Sequence, residues 1–125
     1  MVILDTCAII ELCAPEPKLS DNTLALINKG AFILSISFAE IACKIKLGKL
    51  EISITPKRLY EEFLQIKEVE FVDTNVNRWL SSIDLNWPEN KDPADRLITS
   101  FAIEKKIAIV SSDLKMKKFY KNLIW

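Results

Sequence analysis

The chain has no histidine, only two glycines, three cysteines and no net charge among its 125 residues. Each shortage excludes something. Without imidazole the usual makings of a zinc centre are incomplete. The cysteines, Cys7, Cys13 and Cys43, are odd in number, lie in apolar surroundings and form no C-x-x-C pair. Neither a disulfide framework nor a thiolate zinc site is therefore expected, and a reducing cytoplasm is the expected compartment. The N-terminal stretch lacks the positive leader of a signal peptide and carries Asp5 and Glu11 inside what would be its apolar core. No apolar run approaches the roughly 18 residues of a membrane span. The 17 basic and 17 acidic residues cancel, so attraction to nucleic acid has to come from local patches. The length suits a single domain, residues 1–125.

What is present begins with Met1–Thr6, an apolar run that stops at a carboxylate. A short run without polar alternation reads as a strand buried on both faces, in the middle of a parallel sheet, with Asp5 at its C-terminal tip. Ala8–Leu12 continues as a short helical turn that Pro15 and Pro17 end. Ser20 or Asp21 caps a helix carrying Leu24 and Ile27, stopped by Gly30. Residues 31–36 form a second strand, and Ser37-Phe38-Ala39-Glu40 has capping-box spacing for a helix running to Gly48. Thr55-Pro56 opens a helix to about Lys67, 69–72 alternate like an edge strand, 73–82 suit a helix, and 83–91 read as a loop. Asp92-Pro93 starts a further helix through Leu97, Ile98, Phe101 and Ala102, and 107–110 form another doubly apolar strand ahead of Ser111-Ser112-Asp113. Strands alternating with helices predict a three-layer α/β/α fold with a mainly parallel central sheet.

In a parallel sheet the C-terminal ends of strands and the N-terminal ends of the helices that follow share one edge. Asp5, Glu40, Asp95 and Asp113 are all expected there. Such a cluster repels itself unless a cation neutralises it, and oxygen-only ligation points to a hard ion, Mg²⁺ or Mn²⁺. The implied chemistry is metal-assisted attack of water on a phosphodiester. Each acid also has a plainer reading: Glu40 and Asp95 as helix caps, Asp113 as the start of a turn. Asp5 is hardest to explain away, since no basic residue adjoins it in sequence.

Four stretches, Val2-Ile3-Leu4-Asp5-Thr6, Ile36-Ser37-Phe38-Ala39-Glu40-Ile41, Asp92-Pro93-Ala94-Asp95-Arg96-Leu97-Ile98 and Ser111-Ser112-Asp113, together resemble a PIN domain. Within that family they are most similar to the VapC-type toxins of prokaryotic toxin–antitoxin pairs. The resemblance spans nearly the whole chain. It implies a PIN-like sheet, a divalent-metal-dependent endoribonuclease leaving 5′-phosphate and 3′-hydroxyl ends, an antitoxin partner and a homodimer. Matched by motif, Asp5, Glu40, Asp95 and Asp113 are the acidic quartet, with Asp5, Asp95 and Asp113 as metal ligands and Glu40 helping to hold the ion or orient water. Asp92 matches an additional acid, and Thr6 and Ser112 match hydroxyls beside the acids. Lys91 departs from the histidine or glycine many relatives carry there, which bears on substrate preference.

Lys44, Lys46 and Lys49 follow Glu40, and Lys115, Lys117, Lys118 and Lys121 follow Asp113, so both groups start at the acidic edge. They are read as solvated helix faces or as RNA contacts with Phe119 or Tyr120 stacking on a base. Arg96 is the better substrate contact or else a salt-bridge partner. Trp79, Trp87 and Trp125 suit core or interface. The apolar helices after Ser20 and Thr55 suit a homodimer surface or an antitoxin groove. A haloacid dehalogenase-type phosphatase would need Asp where Cys7 stands, and a receiver domain would need paired early acids and a late lysine. A PIN nuclease of RNA maturation, or a non-catalytic RNA-binding domain, is the alternative.

Overall fold

The computed structural model describes residues 1–125. In chain order the elements are β1 (Val2–Leu4), α1 (Thr6–Leu12), α2 (Asp21–Lys29), β2 (Ala31–Leu34), α3 (Ile36–Lys46), α4 (Pro56–Leu64), β3 (Val69–Val72), α5 (Val76–Ile83), α6 (Pro93–Lys105), β4 (Ala108–Val110), α7 (Leu114–Phe119) and β5 (Leu123–Ile124). The five strands are all parallel, in the order β3-β2-β1-β4-β5. β1 is central and buried on both faces, as an apolar run without alternation requires. β3 is an edge strand, and its burial pattern is correspondingly looser.

Successive side chains of a strand point to opposite faces, so one short strand feeds two cores. Val2 and Leu4 pack with Ala8 and Ile9 of α1, Ile27 of α2, Ile41 of α3, and Leu59 and Phe63 of α4. Ile3, between them, packs with Leu97, Ile98, Phe101 and Ala102 of α6 and Met116 of α7. α5 lies against α6, completing three layers. At the sheet's N-terminal edge Gly30 adopts φ 144°, which side chains rarely adopt, and its carbonyl accepts the Val2 N–H at 3.1 Å.

Local differences from expectation have identifiable causes. The second strand ends at Leu34, because Ser35 is already helical (φ −56°, ψ −29°) and α3 begins at Ile36. Ser37 is therefore in the first turn of α3, fully buried, and the capping box with Glu40 does not form. α4 stops at Leu64, where the Ile66 N–H closes back on Phe63 and turns the chain into β3. The helix expected at 73–82 starts later, at Val76, since Asn75 is its cap. β5, a two-residue edge strand, was not anticipated. It is held by Ile109 N–H to Asn122 O and Ser111 N–H to Ile124 O, both 3.0 Å.

Candidate active site

Register fixes the first contact. Leu4 pairs with Val110, so the residues leaving the two strands, Asp5 and Ser111, emerge side by side. Ser111 Oγ donates to Asp5 Oδ2 at 2.6 Å, and the Thr6 N–H donates to Asp5 Oδ1 at 2.8 Å. The Cys7 thiol lies 3.5 Å from the same Oδ2. Asp5 is only 5% exposed, and its buried charge is met by these donors rather than by a basic side chain.

Glu40 is reached from α1. The Thr6 hydroxyl donates to Glu40 Oε1 at 2.7 Å and shares a 3.1 Å hydrogen bond with Ser37 Oγ. Burial pushes the Glu40 carboxyl above its ordinary range; the Thr6 bond opposes this, the charges of Asp92 and Asp5 add to it, and Lys44, one turn on, lowers it.

α6 brings the next two acids. Asp92 Oδ1 caps the helix, accepting the N–H groups of Ala94 at 2.9 Å and Asp95 at 3.3 Å. Asn90 Oδ1 accepts the Asp92 N–H at 2.8 Å, while Asn90 Nδ2 donates to Asp95 Oδ2 at 2.9 Å. The Asp95 carboxyl is pushed up to about 6, first by burial and then by the charges of Asp92, Asp5 and Asp113, against the Asn90 hydrogen bond. Asp113 caps α7 through Oδ1, accepting from Lys115 N at 2.8 Å and Met116 N at 3.3 Å, and its own N–H reaches Ser111 Oγ at 3.1 Å.

The structure thus brings Asp5, Glu40, Asp92, Asp95 and Asp113 within electrostatic reach of one another at the C-terminal edge of the sheet. Glu40, Asp92, Asp95 and Asp113 each keep one carboxylate oxygen free of hydrogen bonds to the protein. No lysine or arginine pairs with any of the five, the ion pairs being Arg58 with Glu61 and Glu62 and Arg78 with Glu104. No three side chains close into a ready-made metal cage. An oxygen-only set without ion pairs fits Mg²⁺, which is held by one or two carboxylates and keeps several waters.

Two expectations change. Ser112 is exposed, its Oγ 3.8 Å from Cys7 Sγ; the hydroxyl bound to the acids is that of Ser111. Arg96 is half-buried and forms no ion pair with an acid. Its guanidinium donates to four carbonyls, Asn90 at 2.8 Å, Ser82 at 3.0 Å, Leu85 at 3.1 Å and Trp87 at 2.8 Å, so it holds the 82–90 segment in place of a salt bridge or a substrate contact. The aromatic residues after Asp113 are also engaged: Phe119 stacks on Trp87 and the Tyr120 hydroxyl donates to Ile107 O. Sequence reasoning missed Ser37, Asn90 and Ser111. For Ser111 a signal existed, since it holds the same place after its strand as Asp5 does.

A family model described as the PIN domain matches residues 2–122. Comparison with curated proteins gives no match. Among solved structures the fold is similar to a toxin–antitoxin complex from Klebsiella pneumoniae (13% identity, 100% of this chain and 97% of that one, TM-score 0.67). It is also similar to VapBC2 from Rickettsia felis bound to a DNA fragment from their promoter (23%, 99% and 96%, 0.66) and to FitAcB from Neisseria gonorrhoeae (16%, 100% and 97%, 0.59). These likenesses are ones of fold, whereas the family model covers almost every residue. The chain belongs to the PIN domain family.

Proposed function

We propose that the chain is a divalent-metal-dependent endoribonuclease and the toxin component of a toxin–antitoxin pair, acting on cytoplasmic RNA. The observation that carries this reading is the cluster of Asp5, Glu40, Asp95 and Asp113, with Asp92 at its rim and no ion pair to any of them, on the sheet edge where α/β folds bind ligands. Asp5, Asp95 and Asp113 would hold Mg²⁺ or Mn²⁺, directly or through water. When bound, such an ion supplies a water of lowered pKa and charge for the phosphoryl oxygens.

The chain's own residues do the rest. Ser111 and Thr6 N–H fix both oxygens of Asp5, Asn90 sets the plane of Asp95, and Thr6 favours the ionised form of Glu40, which would help to hold the ion or orient the attacking water. Lys44 keeps a positive charge beside Glu40.

The partners follow from surfaces. An apolar groove of about 660 Å³ between the end of α1, residues 50–54 and α4 suits an antitoxin segment. The exposed stripe Val76, Trp79, Leu80 and Ile83 on α5 suits a homodimer contact. No helix is long and apolar enough to cross a membrane. The test is incubation of the purified chain with single-stranded and structured RNA in Mg²⁺ or EDTA. Cleavage that needs the ion and is lost in Asp5→Asn and Asp95→Asn is expected; cleavage that persists in both variants would overturn the site.

A further inference from the structure

Beside the acids lies an open groove of about 770 Å³, with the 86–90 loop as one wall and the Lys115, Lys118 and Phe119 face of α7 as the other. The groove is built rather than incidental. The Trp87 and Phe119 rings stack with centroids 4.6 Å apart and planes 3° from parallel, tying wall to wall. The loop has no strand or helix of its own, yet the Arg96 guanidinium fastens it through the carbonyls of Leu85, Trp87 and Asn90. A loop held in this way presents its outer face without further ordering, which lowers the cost of binding.

The groove also leads somewhere. Asn90 lines it and holds Asp95, while α7, its far wall, is capped by Asp113. Both walls therefore end at the acid cluster. Lys115 and Lys118, one turn apart, are exposed and free of ion pairs, whereas Lys117 is tied to the Leu123 carbonyl at 2.9 Å. The groove's one acid is Glu89. Trp87 is buried against Phe119 and gives bases no platform of its own, so the charged chemistry on offer is two free cations for anionic groups.

A polyanion approaching five carboxylates on a chain with no net charge needs local cations. We infer that the groove between the 86–90 loop and α7 is the entry track of the RNA strand, with Lys115 and Lys118 gripping backbone phosphates next to the one being cleaved. This rests on the nuclease reading of the acids, and it makes the grip on this side indifferent to base identity.

The test compares the full chain with the double variant Lys115→Glu/Lys118→Glu, and with Lys29→Glu/Lys67→Glu at the opposite sheet edge as control. Affinity for a short single-stranded RNA of mixed sequence is measured by fluorescence anisotropy in EDTA across a salt series, and KM and kcat are measured in Mg²⁺. Each lost phosphate contact removes about 0.7 from the slope of log affinity against log salt, so the groove variant should lose about 1.4 and bind at least about tenfold more weakly. KM should rise with kcat little changed, and the control should behave as the parent chain. If the parent cleaves RNA and the groove variant keeps both slope and KM, the groove assignment is wrong and the nuclease reading stands. If the parent neither binds nor cleaves RNA, both fall. A groove variant that keeps RNA affinity but loses a co-expressed protein partner would assign the groove to an acidic protein segment instead.

Discussion

Asp95→Asn should stabilise the ion-free protein while abolishing its response to Mg²⁺. In the native chain the Asp95 carboxyl sits at about 6 against an ordinary 3.8, because burial and the charges of Asp92, Asp5 and Asp113 all oppose its ionisation. At about 1.4 kcal/mol per unit this gap sets a ceiling of about 3 kcal/mol, and because Asp95 keeps part of its surface in water the working figure is about 1–2 kcal/mol. The native state holds the proton more tightly than the unfolded one, so the penalty of the charge is complete above pH 6. It fades as pH falls from 6 towards 3.8 and is gone below that. Asparagine carries no charge and can still accept from Asn90 Nδ2. In EDTA at neutral pH the variant should melt about 3–8 °C above the parent, with the difference vanishing near pH 3.5. Mg²⁺ at tenfold over its dissociation constant should raise the parent by about 1.4 kcal/mol and the variant by much less. Scanning fluorimetry with and without Mg²⁺ at both pH values reads all of this. An Asp95→Asn protein no more stable than its parent in EDTA, or equally stabilised by Mg²⁺, would refute the idea that burial and mutual repulsion of these carboxylates make a site for a cation.

Three further outcomes are expected. Ser111→Ala, which strips the 2.6 Å donor from the buried Asp5 carboxylate, should cost about 2 kcal/mol in urea unfolding, whereas Ser112→Ala should cost less than about 0.5 kcal/mol. Arg96→Ala leaves three loop carbonyls and that of Ser82 at the end of α5 without their donor and should cost about 3 kcal/mol, with new protease cleavage within 83–91, and Arg96→Lys should recover only part because an ammonium cannot span the fan. Thr6→Val removes the hydrogen bond that holds the Glu40 carboxyl down, so Glu40 should protonate at higher pH and the acid limb of RNA cleavage should shift upward; an unmoved limb would separate Glu40 from the rate-determining ionisation.

The fold was legible where burial acts on both faces of an element. Val2–Leu4 and Ala108–Val110 are apolar without alternation because each feeds two cores, and that pattern admits few places in a sheet other than its middle. β5 was not legible: two residues carry no period, and their strand character comes from the edge offered by β4. Ser37 illustrates a different failure. Its spacing to Glu40 satisfies a capping box, yet the helix starts two residues earlier, with Ser35 at the N-cap, and both side chains turn instead towards Thr6, a residue distant in sequence.

At the site, acids announce themselves because a carboxylate at the end of a buried strand is costly, while the neutral groups that position them carry no such signature. Arg96 shows what sequence reasoning can recover with one more question. An arginine beside an aspartate looks the same whether its partner is substrate, acid or backbone. The preceding segment, however, has neither helix nor strand between Ile83 and Lys91, so its carbonyls need donors from elsewhere. Trp87 and Asn90 are buried while Asp84, Asn86, Pro88 and Glu89 are exposed, so the loop turns one side inward and its inward carbonyls need a donor from the protein. A guanidinium has five donors and no acceptor, and its planar fork can satisfy several carbonyls at once. The first arginine after such a loop, only six residues beyond Asn90, is then the natural donor, and a role in holding the loop outweighs a role in holding substrate.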